Sequence, residues 1–113
     1  MGGLTIEIHK TAKKELKTVA KNDKAVMADF NDAMEELSDG TDLPHKRDVK
    51  CLGNNVFQLR FGTNTLPCRA MYESLSNGRM RIIHIIACYK RKDNNAYEPL
   101  NDGKAAKRRW FQK

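Results

Sequence analysis

The 113-residue sequence has no apolar run long enough to span a bilayer. Its longest, around Ile82 to Tyr89, falls far short of the roughly 20 residues a spanning helix needs, and it contains His84. Met1 is not followed by a charged and then an apolar segment, so no secretory leader is expected and the chain reads as cytoplasmic. Ile6 stands where a myristoylation signal has Ser or Thr. Cysteine is scarce: Cys51, Cys68 and Cys88 are 17 and 20 residues apart, with no Cys-x-x-Cys pair and no histidine at ligand spacing. That dispersal excludes a disulfide scaffold, disfavours a structural zinc site and predicts reduced, mostly buried thiols. All three lie in or beside predicted strands rather than at a helix N-terminus, which argues against a catalytic cysteine. There is no internal repeat, no low-complexity segment and no linker, so residues 1–113 are expected to form one domain.

What is present in excess is positive charge, and it is unevenly placed. The net charge is +7, but residues 1–45 hold six lysines against nine carboxylates, whereas residues 46–113 hold fifteen Lys and Arg against five. A basic partner surface therefore belongs to the second half, and the first half reads as solvated scaffold.

Hydrophobic periodicity divides the chain into elements. Leu4 to His9 alternates and predicts a strand with one wet face. Thr11 to Lys21 carries a modest helical stripe of Leu16, Val19 and Ala20. A stronger helix follows, with Asp23 as N-cap, Val26, Met27, Phe30, Met34 and Leu37 at helical spacing, and Gly40 as its stop. Ser38 to His45 reads as a turn. Val56 to Phe61, Cys68 to Ser74 and Arg79 to Tyr89 are predicted strands whose short connections imply antiparallel hairpins. A loop after Lys92 leads to a basic helix from about Asn101 to Phe111. The order β-α-α-β-β-β-α predicts an α+β domain, a curved and mainly antiparallel sheet with helices packed on one face.

The last strand, Met80-Arg81-Ile82-Ile83-His84-Ile85-Ile86-Ala87-Cys88-Tyr89, is apolar on both faces and so is expected to be internal to the sheet. It runs directly into Lys90-Arg91-Lys92, with Tyr97 six positions beyond Arg91, a group suited to a phosphodiester. Period-two alternation puts Phe57, Leu59, Phe61, Ala70 and Tyr72 against the helices and brings Arg60 and Arg69 out together on the open face. Each feature also has a quieter reading. Arg60 and Arg69 could be cross-strand surface cations paired with Glu73, and Lys90 to Lys92 a strand-end charge cluster. His84, amid isoleucines, reads as a satisfied core histidine, and His45 as the spare acid or base.

The stretch Val49-Lys50-Cys51-Leu52-Gly53-Asn54-Asn55-Val56-Phe57-Gln58-Leu59-Arg60, then Cys68-Arg69-Ala70-Met71-Tyr72, then the Ile-rich strand into Lys90-Arg91, resembles the RelE/ParE toxin superfamily. Its pattern Lys-x-Leu-Gly, Leu-Arg, Arg-x-x-Tyr, Lys-Arg most resembles the HigB-like, phage-associated branch. The resemblance implies the toxin of a type II toxin–antitoxin pair, an mRNA endoribonuclease that needs no metal or other cofactor and acts free or on the ribosome. Its implied partner is a small antitoxin of helix-turn-helix type. By motif position Arg69 and Arg91 are similar to the family's phosphate-binding arginines and Tyr97 to its acid/base tyrosine. Lys50, Arg60, Lys90 and Lys92, together with Lys104, Lys107, Arg108 and Arg109 of the basic helix, are the expected RNA contacts.

Residue chemistry fits those roles in part. An arginine fork takes two phosphate oxygens and keeps its proton. Lys90, Arg91 and Lys92 would favour a Tyr97 anion and Glu98 would oppose it, so base, acid and stacking platform all stay open for Tyr97. One departure stands out: many RelE-type nucleases carry lysines in the strand that here reads Val56-Phe57-Gln58. Lys50, Arg60, Lys46 or Arg47 would have to supply that charge. A ParE-like topoisomerase poison and a non-catalytic RNA- or protein-binding module remain the alternatives.

Overall fold

A computed structural model describes residues 4–21, 23–38, 47–77, 80–100 and 102–112. The expected Gly40 stop, His45 and Lys46 lie outside them. Strand β1 (Leu4–Ile8) leads to helices α1 (Lys10–Val19) and α2 (Lys24–Ser38), then to β2 (Val49–Gly53), β3 (Val56–Gly62), β4 (Pro67–Asn77) and β5 (Met80–Lys90). One-turn helix α3 (Asn94–Tyr97), flanked by 3-10 turns, and helix α4 (Gly103–Trp110) follow. The strands form one sheet in the order β1-β5-β4-β3-β2, with β1 parallel to β5 and every other pair antiparallel. β5 is thus internal, as its two apolar faces require.

The caps explain where the first helices begin. His9 Nδ1 accepts the Thr11 N–H at 3.1 Å, and Asp23 Oδ1 accepts those of Ala25 and Val26 at 3.1 and 3.2 Å. Leu16 and Val19 of α1 and Val26, Phe30, Ala33 and Leu37 of α2 form an apolar stripe against Leu59, Phe61, Ala70, Tyr72, Ile83 and Ile85 of the sheet. Arg47, 9% exposed, locks α2 to β3: its guanidinium lies 2.9 Å from both Asp29 and Glu36, and Asp29 also accepts the Gly62 N–H at 2.8 Å. Gly62 has φ +102°, and a Cβ there would sit 2.4 Å from the Leu66 carbonyl, so only glycine fits this turn.

Three expectations need correction. Val49–Gly53 is a strand that periodicity missed, because only Val49 and Leu52 lean inward from this sheet edge. It joins β3 through Asn54 and Asn55, both at positive φ, the geometry of a tight two-residue hairpin. The stretch after Lys92 is helical turns rather than a loop. Finally, α4 does not join α1 and α2 but packs on the opposite face, over Val56, Met71, Ile86, Ala87 and Tyr89.

That second core depends on a bulge in β5. Met71 pairs with Ala87 and Tyr72 with Ile85, which leaves Ile86 as the extra residue. Ile83 and Ile85 face α1 and α2; beyond the bulge Cys88 does, and Ala87 and Tyr89 face the other way. One inserted residue therefore turns Tyr89 onto the face that carries Arg69.

Candidate phosphate-binding site

Beyond the area covered by α4, the open face is built from four strands in register. Arg60 of β3 lies opposite Arg69 of β4, Arg69 opposite Tyr89 of β5, and Lys50 of β2 opposite Gln58 of β3. Like charges directly opposite each other weaken a sheet, a cost that the Arg60–Arg69 pair carries. Arg91 joins them from the 3-10 turn that begins where β5 ends. A cavity of about 240 Å³ is lined by Asp48, Val49, Lys50, Gln58, Leu59, Arg60, Arg69 and Arg91. Four cations and one carboxylate thus surround one opening, an electrostatic environment for an anion.

Arg60 and Arg69 are held differently. Arg60 lies 3.5 Å from the exposed Asp48 carboxylate, and Arg69 donates to the Gln58 side-chain oxygen at 2.8 Å. Neither contact is to Glu73, whose carboxylate instead sits 3.3 Å from His84 and 3.0 Å from Lys107. A second cavity, of about 330 Å³, shares Asp48 and Arg60 and continues to Thr63 and Asn64, so the groove runs on past Arg60.

Tyr97 is not at this opening. It lines a separate cavity of about 280 Å³ with Glu15, Lys90 and Asp93. Its ring stacks on Tyr89 at 4.1 Å and 7°, its hydroxyl donates to Glu15 Oε2 at 2.5 Å, and Arg109 binds the same carboxylate at 2.7 Å. Burial, reinforced by the hydrogen bond and charge of Glu15, pushes the phenol well above its ordinary pKa. Its hydroxyl is committed to Glu15 and its ring is already stacked on Tyr89. Lys90 shares this neighbouring cavity, facing the side of the sheet that Cys68, its partner in register, faces.

The basic helix divides as well. Lys107 and Arg109, expected to contact RNA, neutralise the nearly buried Glu73 and Glu15; Lys104 and Arg108 are exposed, as is Lys92. Arg47 is spent on Asp29 and Glu36 and cannot make up a charge deficit. His84 is held between Glu7 and Glu73 with its ring stacked 3.9 Å from that of Trp110, a structural role. Burial raises the thiol pKa of Cys88 and pushes that of Cys68 up to about 11, which keeps both inert.

Sequence reasoning missed Asp48, Gln58 and Tyr89. Gln58 shares the period of Arg60 and was within reach of it; Tyr89 was hidden by the bulge; Asp48 carried no signal. Among the described residues no group of three or more His, Cys, Asp or Glu could hold a metal ion, and no helix is long and apolar enough to cross a membrane.

No family model matches the chain, and no curated protein matches it significantly. Among solved structures, the solution structure of the conserved hypothetical protein HP0892 from Helicobacter pylori superposes with a TM-score of 0.56 at 16% identity, covering 80% of this chain and 98% of that one. The likeness is one of fold alone, an α+β arrangement as expected.

Proposed function

We propose that the chain is the toxin of a toxin–antitoxin pair, an endoribonuclease that cuts mRNA, free or on the ribosome, and is restrained by a small helix-turn-helix antitoxin. The observation that carries this reading is the convergence of Lys50, Arg60, Arg69 and Arg91 on one cavity of an open sheet face. An RNA backbone laid along that face meets cations at successive phosphates. At the cleaved phosphate the ribose 2′-oxygen attacks phosphorus and the P–O5′ bond breaks, which leaves a 2′,3′-cyclic phosphate and a 5′-hydroxyl. Arg69 and Arg91 bind the non-bridging oxygens, where negative charge grows in the pentacoordinate transition state.

The proton leaving the 2′-hydroxyl passes to Asp48, the carboxylate lining the cavity, and Lys50 donates one to the departing 5′-oxygen. Tyr97 has no part in this step. Arg60 and the exposed Lys92, Lys104 and Arg108 hold flanking phosphates.

The test is a defined mRNA incubated with the protein, free and on ribosomes, with its ends mapped. Arg69→Ala and Arg91→Ala should each reduce cleavage by about 10²–10³-fold, the scale of losing one transition-state donor. Intact mRNA in both settings would overturn the reading. DNA breaks in expressing cells would then mark a topoisomerase poison, and the absence of any effect a non-catalytic module.

A further inference from the structure

Gln58 stands where many RelE-type nucleases carry lysine, yet it is 3% exposed and fully engaged in directed contacts. Its Oε1 accepts from the Arg69 guanidinium at 2.8 Å. Arginine can only donate, so the carbonyl end of the amide must face it, and the NH₂ end is thereby turned to the Tyr89 hydroxyl, to which it donates. Tyr89 is itself immobilised. It is 1% exposed, its ring stacks on Tyr97, and Tyr97 is tied through Glu15 to Arg109 of α4. Arg69 is the solvent end of a chain of directed contacts that runs back through the sheet to α1 and α4, and a buried network of this kind restricts every member.

We infer that Gln58, backed by Tyr89, is a positioning residue that holds the Arg69 guanidinium in one orientation over the cavity. For what Arg69 is aimed at, this rests on the ribonuclease reading; the restraint itself does not. Gln58 is then a replacement of one device by another, not a gap left by a lost lysine. A lysine at this position has three donors and no acceptor. It would repel the guanidinium and leave it unanchored, so the exchange that a charge deficit calls for breaks the site.

The experiment compares wild type with Gln58→Lys, Gln58→Leu, Gln58→Glu and Tyr89→Phe, each checked for folding by thermal melting. Rotation of the guanidinium NH₂ groups is read from ¹⁵N–¹H spectra, with the Arg69 signal identified by its loss in Arg69→Lys. Cleavage of RNA supplies kcat and KM. Rotation should be restricted in wild type and in Gln58→Glu, which keeps the acceptor, and free in Gln58→Lys and Gln58→Leu, with Tyr89→Phe between. In Gln58→Lys kcat should fall by about 10²-fold, the cost of a misplaced catalytic group, with KM little changed. Free rotation of Arg69 in wild type, or a Gln58→Lys variant that cleaves as fast as wild type, would overturn the inference. A wild type that cleaves no RNA sinks the ribonuclease reading instead, and the rotation measurement still decides the restraint.

Discussion

Replacing Arg47 by methionine keeps an unbranched apolar stem and removes the guanidinium and its charge. The Arg47 side chain is 9% exposed, and its guanidinium contacts both carboxylate oxygens of Asp29 at 2.9 and 3.0 Å, both of Glu36 at 2.9 to 3.1 Å, and the Arg60 carbonyl at 3.1 Å. Removing one partner of a buried ion pair costs about 3–5 kcal/mol. Asp29 and Glu36 are each 30% exposed and recover some hydration, so the lower end applies, about 3 kcal/mol. For a domain of this size that is a fall in Tm of roughly 12 °C. Urea denaturation followed by circular dichroism gives the same quantity, with the slope m unchanged if only stability is altered.

Acid provides an independent arm. The hydrogen bond from Arg47 holds the Asp29 carboxyl below its ordinary pKa. A native pKa below the unfolded value of about 3.9 contributes stability that is complete above that pH and is lost as pH falls through the native value. Wild type should therefore lose this contribution below about pH 4, and Arg47→Met, which has already lost it, should show a shallower acid limb. A loss under about 1 kcal/mol, the worth of a surface pair, would refute the clamp. So would reduced RNA cleavage by the folded variant, because Arg47 would then be acting in the site.

Tyr97→Phe should retain cleavage while losing about 1.5 kcal/mol of stability, the worth of a hydrogen bond to a charged group; a loss of cleavage with unchanged Tm would restore the acid/base role. Because burial and Glu15 raise the Tyr97 pKa above its unfolded value, its contribution is complete below about pH 10 and lost as pH rises through the native value, so the variant should have the flatter alkaline limb in melts at graded pH. Lys107→Ala should lower Tm and leave RNA affinity unchanged, since its ammonium serves Glu73, whereas Lys104→Ala should reduce affinity in a salt-dependent way at constant Tm. Melting curves and filter binding at two salt concentrations distinguish the pair, and the reverse pattern would return Lys107 to the RNA surface.

Much of the fold is written locally. The stripe Val26, Phe30, Ala33, Leu37 faces one way on any helix, and Asp23 caps it by reaching only two and three residues ahead. β5 declares itself internal by being apolar on both faces, and the alternation of β3 and β4 by itself puts Arg60 beside Arg69. Period and short-range capping are intrinsic to the chain, so they survive without knowledge of the neighbours.

Tertiary structure decided which charges are free to act. Lys107 and Arg109 look no different in sequence from Lys104 and Arg108, but the former pair meets Glu73 and Glu15, 34 and 94 residues away, and is consumed there. Arg47 is taken up by α2 in the same manner. The bulge at Ile86, a departure from strict alternation that depends on how β4 pairs, reverses Tyr89 and so completes the Gln58–Arg69 contact. The sequence by itself determined the α+β class, the internal strand and the Arg60–Arg69 face, because these follow from local periodicity. Which cations reach solvent, and that Tyr97 is not among the groups lining the cavity of Arg60 and Arg69, depends on long-range ion pairing and burial, which only the packed chain defines.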